Sequence, residues 1–471
     1  MTVQVEHESP PRDAGGALRV ALFVHAFFPD QIYGTESYAL ALARQLMRLG
    51  HEAVVVTVRE DNGPPQAEEV ERFSYAGIPV VRIDRSRTPP RDAREEYDMP
   101  ALVPLFRCIL AEIRPDVAHI CHLGNFTTAL ATATRGLGIP TFTTLTDFFN
   151  LCMTGTLEVP GGGLCDGPDM HRANCMACGI ALRRYIEPSR FWWTLAQPGL
   201  RPLVAAAGAR LAAVLPFALG RDARAVVERP QVLLAAMEQC CAAIAPTLYL
   251  HDAFRRHGAQ LPMVHSTFGI DIDRAEKPLP RPDGAPGPVR FGFIGQLLTH
   301  KGPHLLVNAI RQLPPGSFTL DIWGSEQLHP DYARDLREVA RGMAVAFRGT
   351  FEESATAAIF AGMDVVVLPS TWRENGPLTL LKALATHTPA VVSDVPGMTE
   401  FITEGVNGFA FRRGDVAALA EVLRRFVTDP GLARRMSGET HYPRTEADMA
   451  RDVLGLYRRF GVGLALSGSG A

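Results

Sequence analysis

One pattern runs through both halves of the sequence: a short apolar run rich in β-branched residues, then a turn, then an amphipathic helix. Residues 19–24 predict a strand, and residues 35–49 carry apolar side chains at helical spacing. The same pattern begins again with a predicted strand at 289–294. Alternating strands and helices are typical of parallel, doubly wound sheets. The sequence therefore predicts an α/β fold with two Rossmann-like domains that face each other across a cleft.

The same alternation gives the predicted domain boundaries. Residues 17–265 are expected to form the N-terminal domain, 266–445 the C-terminal domain, and 446–471 a helix that returns to the N-terminal domain. A stretch rich in proline and glycine, 277–288, is the predicted linker. Residues 150–239 interrupt the alternation, so we expect them to be an insertion in the first domain.

Composition excludes several classes of protein. Hydrophobic residues make up 47% of the 471 residues and charged residues 21%, which is enough to build a large core and excludes general disorder. The net charge of −3 gives no basic surface for nucleic acid. Residues 1–16 lack the apolar stretch of a signal peptide, and no apolar run of about 18 residues predicts a membrane span. These features favour a cytoplasmic protein without a nucleic-acid partner.

A doubly wound sheet binds its ligands in the loops that follow its strands. In this sequence those loops contain glycines and polar side chains. They are residues 34–36, 119–125, 147, 295–301, 324–326 and 369–377. The motifs at or beside them are the segments 34–36, 116–119, 144–148, 269–271, 293–302 and 368–394.

Taken in this order, the segments resemble the family-4 retaining glycosyltransferases of the GT-B fold, in a subgroup with a four-cysteine insertion. The most specific match is the last segment, where the family has two glutamates eight positions apart and this sequence has Glu374 and Lys382. The resemblance extends from residue 19 to about residue 457. It implies an enzyme that moves a sugar, with retention, from a nucleotide-sugar donor to a hydroxyl acceptor such as a glycan, a glycolipid or a natural product.

The resemblance implies two sets of site residues. The predicted catalytic residues are Glu374, Lys301, His122 and Asp147. The predicted donor-binding residues are Gly34, Thr35, Gly295, Gln296, Lys301, Gly324, Glu374, Asn375, Gly376, Pro377, Leu378 and Lys382.

The chemistry of these residues agrees with the resemblance. In a strand-to-helix turn such as that at Gly34, backbone amides can approach a phosphate or a sugar. Lys301 offers a positive charge to a departing diphosphate, so no metal is expected there, and Glu374 can accept hydrogen bonds from sugar hydroxyls. Each residue taken alone has a simpler interpretation: Gly34 can end a strand, Lys301 can be a solvated charge, and Glu374 can cap the next helix. Their joint occurrence favours function.

The sequence departs from the family's pattern at four positions. Lys382 replaces the second glutamate, which in the family holds the donor ribose, and Gln296 replaces an arginine. Thr146 and Cys121 stand where the family has histidines. Because lysine donates where glutamate accepts, three explanations stay open: a donor with a phosphate or carboxylate for Lys382, a slow or dedicated transferase, or a degenerate homologue that binds without turnover. We favour an active transferase over the alternative of a non-catalytic binding or partner protein.

Four of the eight cysteines lie close together in the sequence, within the insertion. Their spacing ends in Cys-x2-Cys, which suits a closed tetrahedral site. It predicts a structural Zn²⁺ bound by Cys152, Cys165, Cys175 and Cys178. Two cysteine pairs, four buried thiols and an iron–sulfur cluster are the alternatives.

The segment 183–220 mixes arginines and two adjacent tryptophans with apolar residues. A basic amphipathic segment of this kind predicts peripheral contact with the inner face of a membrane. The alternative is a helical subdomain that buries its aromatic side chains.

Overall fold

A computed structural model describes residues 16–59, 69–182, 201–211, 217–272, 287–429 and 431–462. The first half is built around an eight-stranded sheet in the order β10-β9-β6-β5-β1-β2-β4-β3. A two-stranded hairpin, β7-β8, lies outside this sheet. The strands are β1 (Arg19–Val24), β2 (Glu52–Arg59), β3 (Val70–Tyr75), β4 (Ile78–Asp84), β5 (Val117–Ile120), β6 (Thr141–Thr144), β7 (Glu158–Val159), β8 (Gly163–Leu164), β9 (Ala242–Ala245) and β10 (Met263–His265).

The second half contains a six-stranded parallel sheet in the order β13-β12-β11-β14-β15-β16. Its strands are β11 (Val289–Ile294), β12 (Phe318–Trp323), β13 (Val345–Gly349), β14 (Val365–Leu368), β15 (Ala390–Ser393) and β16 (Gly408–Phe411).

Helices connect the strands in both halves. In the first half the α-helices are Gly34–Arg48, Val103–Ile113, Thr127–Gly136, Ala173–Leu182, Arg201–Leu211, Phe217–Met237 and Leu248–Arg256. In the second half they are Pro303–Ile310, Pro330–Ala340, Thr356–Ala361, Leu378–Ala385, Val416–Thr428 and Leu432–Glu439, and the chain continues into Glu446–Arg459. None of the helices in the described parts of the chain is long and apolar enough to cross a membrane.

This architecture confirms the predicted fold class. The central strands are buried along nearly their whole length, as parallel strands covered by helices on both faces must be. One correction concerns the first sheet, which is not wholly parallel: its edge strand β3 pairs antiparallel with β4. The predicted linker and the predicted membrane-contact segment 183–220 lie largely outside the described residues.

The chain passes between the two halves twice at one place. Ile270 donates its backbone N–H to the carbonyl of Arg444 at 3.1 Å, so the outgoing and returning segments lie against each other. A Cβ at Gly269 would lie 2.1 Å from the carbonyl oxygen of Thr445, which only glycine avoids. From Thr445 the helix Glu446–Arg459 runs back onto the first sheet, where the Tyr457 hydroxyl lies 2.6 Å from His119 Nδ1.

Candidate functional site

Two residues predicted to be catalytic meet at the carboxyl ends of neighbouring strands of the second sheet. Lys301 follows β11 and Glu374 follows β14, and these strands pair directly. Lys301 Nζ lies 2.8 Å from Glu374 Oε1, and the two side chains are only 21% and 10% exposed. The ammonium also lies 4.6 Å from the centre of the Trp372 ring, a cation–π distance. The pair is thus a largely desolvated ion pair.

The two oxygens of the Glu374 carboxylate have different surroundings. Besides Lys301, Ser370 Oγ and Trp372 Nε1 donate hydrogen bonds to Oε1, each at 2.7 Å. In the described part of the chain no group donates to Oε2, which leaves this oxygen able to accept from a ligand hydroxyl. Burial alone would raise the pKa of Glu374, but the charge and hydrogen bond of Lys301 and the other two donors outweigh it and lower the pKa. Glu374 is therefore an ionised acceptor.

The loops that carry these two residues are fixed to each other. Thr371 donates its backbone N–H to the carbonyl of His300 at 2.7 Å. Gly302 has a φ of +72°, and a Cβ there would lie 2.0 Å from the carbonyl oxygen of Pro369. Only glycine allows this approach, so the Lys-Gly step in the sequence has a packing reason as well as a chemical one.

His300 is a part of this site that the sequence reasoning missed. Its ring lies 4.2 Å from the Trp372 ring, and its Nε2 is buried without a partner among the described residues. Burial, followed by the charge of Lys301, lowers the pKa of His300 to about 4, so the ring is neutral near pH 7. In the sequence, only the position of His300 directly before Lys301 could have indicated that it belongs to the site.

The loop 375–378 leads from Glu374 into the helix Leu378–Ala385. Among the described residues no side chain caps the start of this helix, so the interpretation of Glu374 as a helix cap is wrong. The Oδ1 of Asn375 is buried without a partner among the described residues, and Gly376 has a φ of +101° with the Phe268 ring against it. An uncapped helix start and an unsatisfied amide are suited to binding an anion and a hydroxyl.

The remaining predicted donor-binding residues of the second half lie around these loops. A Cβ at Gly324 would lie 2.2 Å from the carbonyl oxygen of Gly295, so the loops after β11 and β12 touch. Gln296 is half-buried beside Gly295. Lys382 is half-buried on the helix Leu378–Ala385, and its ammonium has no ion-pair or hydrogen-bond partner in the described ranges. The ammonium is therefore available to pair with a group of a ligand.

The two predicted catalytic residues of the first half are also in contact. His122 Nε2 lies 3.0 Å from Asp147 Oδ2, and Gly124 donates its backbone N–H to His122 Nδ1 at 2.9 Å. Since Nδ1 accepts, the proton of the neutral ring is on Nε2, which donates to Asp147. Asp147 Oδ1 accepts from the backbone N–H of Phe149 at 2.8 Å. His122 therefore has no free nitrogen to act as a base, and it holds Asp147 in place.

Asp147 is ionised because its hydrogen-bond partners affect its pKa more strongly than burial does. Burial alone would raise the pKa of Asp147, but His122 and the N–H of Phe149 outweigh it, so the pKa is lowered. The Asp147 side chain is 32% exposed and is able to accept further hydrogen bonds.

A second histidine joins this pair, and the sequence reasoning missed it. The His25 ring lies 4.0 Å from the His122 ring, and its Nε2 lies 3.6 Å from Glu36 Oε1. Its Nδ1 is buried without a partner among the described residues. Burial, and then His122, lower the pKa of His25 to about 3. A single histidine after a strand carries no spacing signal; only the pairing of β1 with β5 brings it to His122.

The other first-half positions that the sequence singled out have surroundings that indicate a structural role. They are Gly34, Thr35, Thr146 and Cys121. Gly34 and Thr35 begin the helix Gly34–Arg48, and a Cβ at Gly34 would meet no atom within 4 Å, so packing does not require glycine there. Thr146 donates to the carbonyl of Cys121 at 3.0 Å, and Cys121 is fully buried. The two positions that lack the family's histidines therefore stabilise the fold.

The four clustered cysteines line a single cavity. They are Cys152, Cys165, Cys175 and Cys178. All are free thiols, so the alternative of two cysteine pairs is wrong. Cys152 Sγ lies 3.1 Å from Thr154 Oγ1, and Asn174 Nδ2 donates to Cys165 Sγ at 3.6 Å. Within the described ranges no three His, Cys, Asp or Glu side chains are arranged to hold a metal ion. The zinc prediction thus has no support from this geometry, in which the sulfurs of Cys152 and Cys165 bond to neighbouring polar groups.

Comparison with known proteins finds similarity to glycosyltransferases in both halves of the chain. Residues 280–441 match the family described as glycosyl transferases group 1, and residues 32–151 match glycosyltransferase family 4. The chain is 33% identical over 168 residues to a glycogen synthase of Mycobacterium tuberculosis, which is 35% of this chain and 40% of that protein. It is 29% identical over 202 residues to a D-inositol 3-phosphate glycosyltransferase of Xylanimonas cellulosilytica, 40% of this chain and 48% of that protein. The matches thus span less than half of these curated relatives.

Solved structures agree on the fold. Sucrose-phosphate synthase from Thermosynechococcus elongatus superposes with a TM-score of 0.60 at 17% identity, covering 94% of this chain and 99% of that one. The Anabaena protein Alr3699/HepE, in complex with UDP and glucose, gives a TM-score of 0.58 at 16% identity, covering 95% and 100%. Each half of the chain thus matches a glycosyltransferase family model over part of its length, and the chain has the GT-B fold of two Rossmann-like domains.

Proposed function

We propose that this protein is an active glycosyltransferase that moves a sugar, with retention, from a nucleotide-sugar donor to a hydroxyl on a glycan, a glycolipid or a natural product. One observation carries the proposal. The buried Glu374 pairs with Lys301 and lies in the loop that leads into an uncapped helix, so a cation, an ionised acceptor and the first backbone amides of that helix belong to adjoining loops. A diphosphate, a sugar hydroxyl and a departing negative charge require these three groups.

The roles of the groups follow from their surroundings. In the reaction the bond between the anomeric carbon and the diphosphate breaks, and a bond to the acceptor oxygen forms. The acceptor's proton passes to an oxygen of the leaving diphosphate. Lys301 and the first amides of the helix Leu378–Ala385 stabilise the charge that develops on this leaving group. Glu374 Oε2 accepts a hydrogen bond from the donor sugar.

The first-half pair acts on the other substrate. Asp147, held by His122 and the N–H of Phe149, accepts a hydrogen bond from a sugar hydroxyl and orients it. His122 contributes by fixing that carboxylate. The neutral His25 beside it adds a buried polar nitrogen to the same pocket.

Two further parts of the proposal concern a metal and the location of the protein. A structural Zn²⁺ in the cysteine cavity has the correct thiol chemistry, but the side chains as they stand do not form a metal site, and no catalytic step depends on it. A cytoplasmic location with membrane contact through 183–220 follows from composition alone.

Nucleotide release tests the function. The Anabaena protein has been solved with UDP-glucose and a starch synthase from Arabidopsis thaliana with ADP and acarbose, so UDP-glucose and ADP-glucose are the first donors to try. We expect a donor to raise the melting temperature and to be hydrolysed slowly to the nucleoside diphosphate without an acceptor. Binding without release would support the second candidate, a non-catalytic binding protein, which the exchanges at Lys382 and Gln296 favour.

A further inference from the structure

A hairpin from the first domain lies on the loop that carries Glu374. We call residues 157–166, which contain β7 and β8, the cap hairpin. It belongs to the predicted insertion, in which the sequence predicted a cysteine site and, farther along the chain, membrane contact. Its contacts with the second domain are made by two arginines, Arg373 and Arg413.

Arg373 is the main link between the two. Its side chain is only 6% exposed. One guanidinium nitrogen, Nη1, donates to the carbonyls of Leu157, at 3.1 Å, and of Cys165. The other, Nη2, donates to Asp166 Oδ1 at 2.8 Å. The planar guanidinium is thus used to hold two backbone oxygens and one carboxylate at fixed angles.

The cap hairpin is held at further points. Arg413 Nη1 donates to the carbonyl of Gly162 at 3.2 Å and to that of Thr371 at 2.7 Å, so it joins the hairpin's turn to the Glu374 loop. On the other side, His257 Nε2 lies 2.7 Å from the carbonyl oxygen of Asp166. The hairpin is therefore fixed to the first domain, and among the described residues its hydrogen bonds with the second domain come from Arg373, after β14, and Arg413, after β16.

Arg373 directly precedes Glu374 in the chain. Whatever fixes the Arg373 backbone also fixes the point from which the Glu374 side chain starts. We propose that Arg373 is a positioning residue, through which the cap hairpin of the first domain holds the donor loop of the second in its binding geometry. This inference rests on the proposed function, because it assigns the donor to that loop.

The first test compares Arg373→Met with the wild type and with Arg334→Met. Arg334 lies 65% exposed on another helix, in ion pairs with Asp331 and Asp335, and is a matched control. Binding of UDP and of ADP is measured by calorimetry. We expect Arg373→Met to weaken the nucleotide that binds by at least about tenfold and to raise the donor KM, and Arg373→Lys to recover part of the loss. The control should bind as the wild type does.

A second measurement separates positioning from a purely structural role. Amide hydrogen exchange in residues 157–166 should slow when the nucleotide is added to the wild type, and should not respond in Arg373→Met. If Arg373→Met fails to fold, Asp166→Ala replaces it, because the Asp166 side chain is 87% exposed; we expect a two- to threefold weaker affinity.

The outcomes are distinct. Unchanged nucleotide affinity in Arg373→Met, or in Asp166→Ala if that variant takes its place, would overturn the positioning role while leaving the proposed function intact. A lower melting temperature with unchanged affinity would have the same meaning. Failure of the wild type itself to bind any of UDP, ADP, GDP, TDP and CMP would refute the proposed function instead.

Discussion

Replacing Glu374 with glutamine keeps the shape of the side chain and removes its charge. The new amide oxygen can still accept from Ser370 and Trp372, so the interaction that is lost is the ion pair with Lys301. Breaking one side of a buried pair costs about 3–5 kcal/mol. Because the Lys301 side chain is 21% exposed, water screens part of that cost, and we expect a loss of about 2–3 kcal/mol in the free energy of unfolding.

Urea denaturation of four proteins measures this value: the wild type, Glu374→Gln, Lys301→Met and the double variant. Once either partner is gone, losing the other should cost little, so we expect a coupling energy of about 1–3 kcal/mol. Arg334→Met, which breaks exposed ion pairs, should change stability by less than about 1 kcal/mol. Additive losses in the double variant would refute the view that the two charges stabilise each other.

Activity gives the second half of this prediction. Glu374→Ala and Lys301→Ala should each reduce turnover of the folded protein by at least about tenfold, from lost charge-assisted bonds. The assay is nucleoside diphosphate release under conditions where each variant stays folded. Near-normal turnover in either variant would remove that residue from the site, even if the stability loss were as expected.

Three other predictions concern single features. Lys382→Glu should weaken donor binding in calorimetry, because a half-buried cation without a partner suits a phosphate or a carboxylate; unchanged or tighter binding would favour a ribose site that has drifted. Burial raises the pKa of Cys178 to about 12, so it should react with a thiol reagent at pH 7.5 at least about tenfold more slowly than the exposed Cys108; one zinc per chain in elemental analysis would instead restore the zinc hypothesis. Burial lowers the pKa of His119 to about 3, so the unfolded chain takes up its proton first. The free energy of unfolding should therefore fall by up to about 1.4 kcal/mol per pH unit as the pH drops from about 6.5. In a pH series of urea curves, the free energy of unfolding of His119→Gln should fall less steeply with decreasing pH than that of the wild type.

Much of the fold could be predicted because its strands are buried on both faces and rich in β-branched residues. The predicted bounds of β1 and β11 coincide with those in the structure. β9 was missed because its residues, Ala-Ala-Ile-Ala, contain one β-branched side chain and resemble a helix as much as a strand. β3 was missed because an exposed edge strand has a weak apolar pattern.

The site could be predicted only where it depends on strand order. Lys301 and Glu374 follow neighbouring strands, so their proximity is a property of the topology, but their direct pairing depends on side-chain placement. The contact of Arg373 with the carbonyls of Leu157 and Cys165 had no signal at all. Its partners are more than two hundred residues away in the chain, and every residue has a backbone carbonyl, so no residue type marks such an acceptor.

The paired crossing at Gly269 and Thr445 has a consequence for how such a molecule is assembled. Everything between the two crossings, roughly residues 272–443, leaves the first domain and comes back to it at adjoining points. In connectivity, this stretch is inserted into the first half of the chain, and the helix Glu446–Arg459 then returns to the first sheet. Domain insertion and exchange require chain ends that lie close together. The two halves of the cleft can therefore vary separately, provided that any replacement of the second domain keeps an arginine that contacts the cap hairpin.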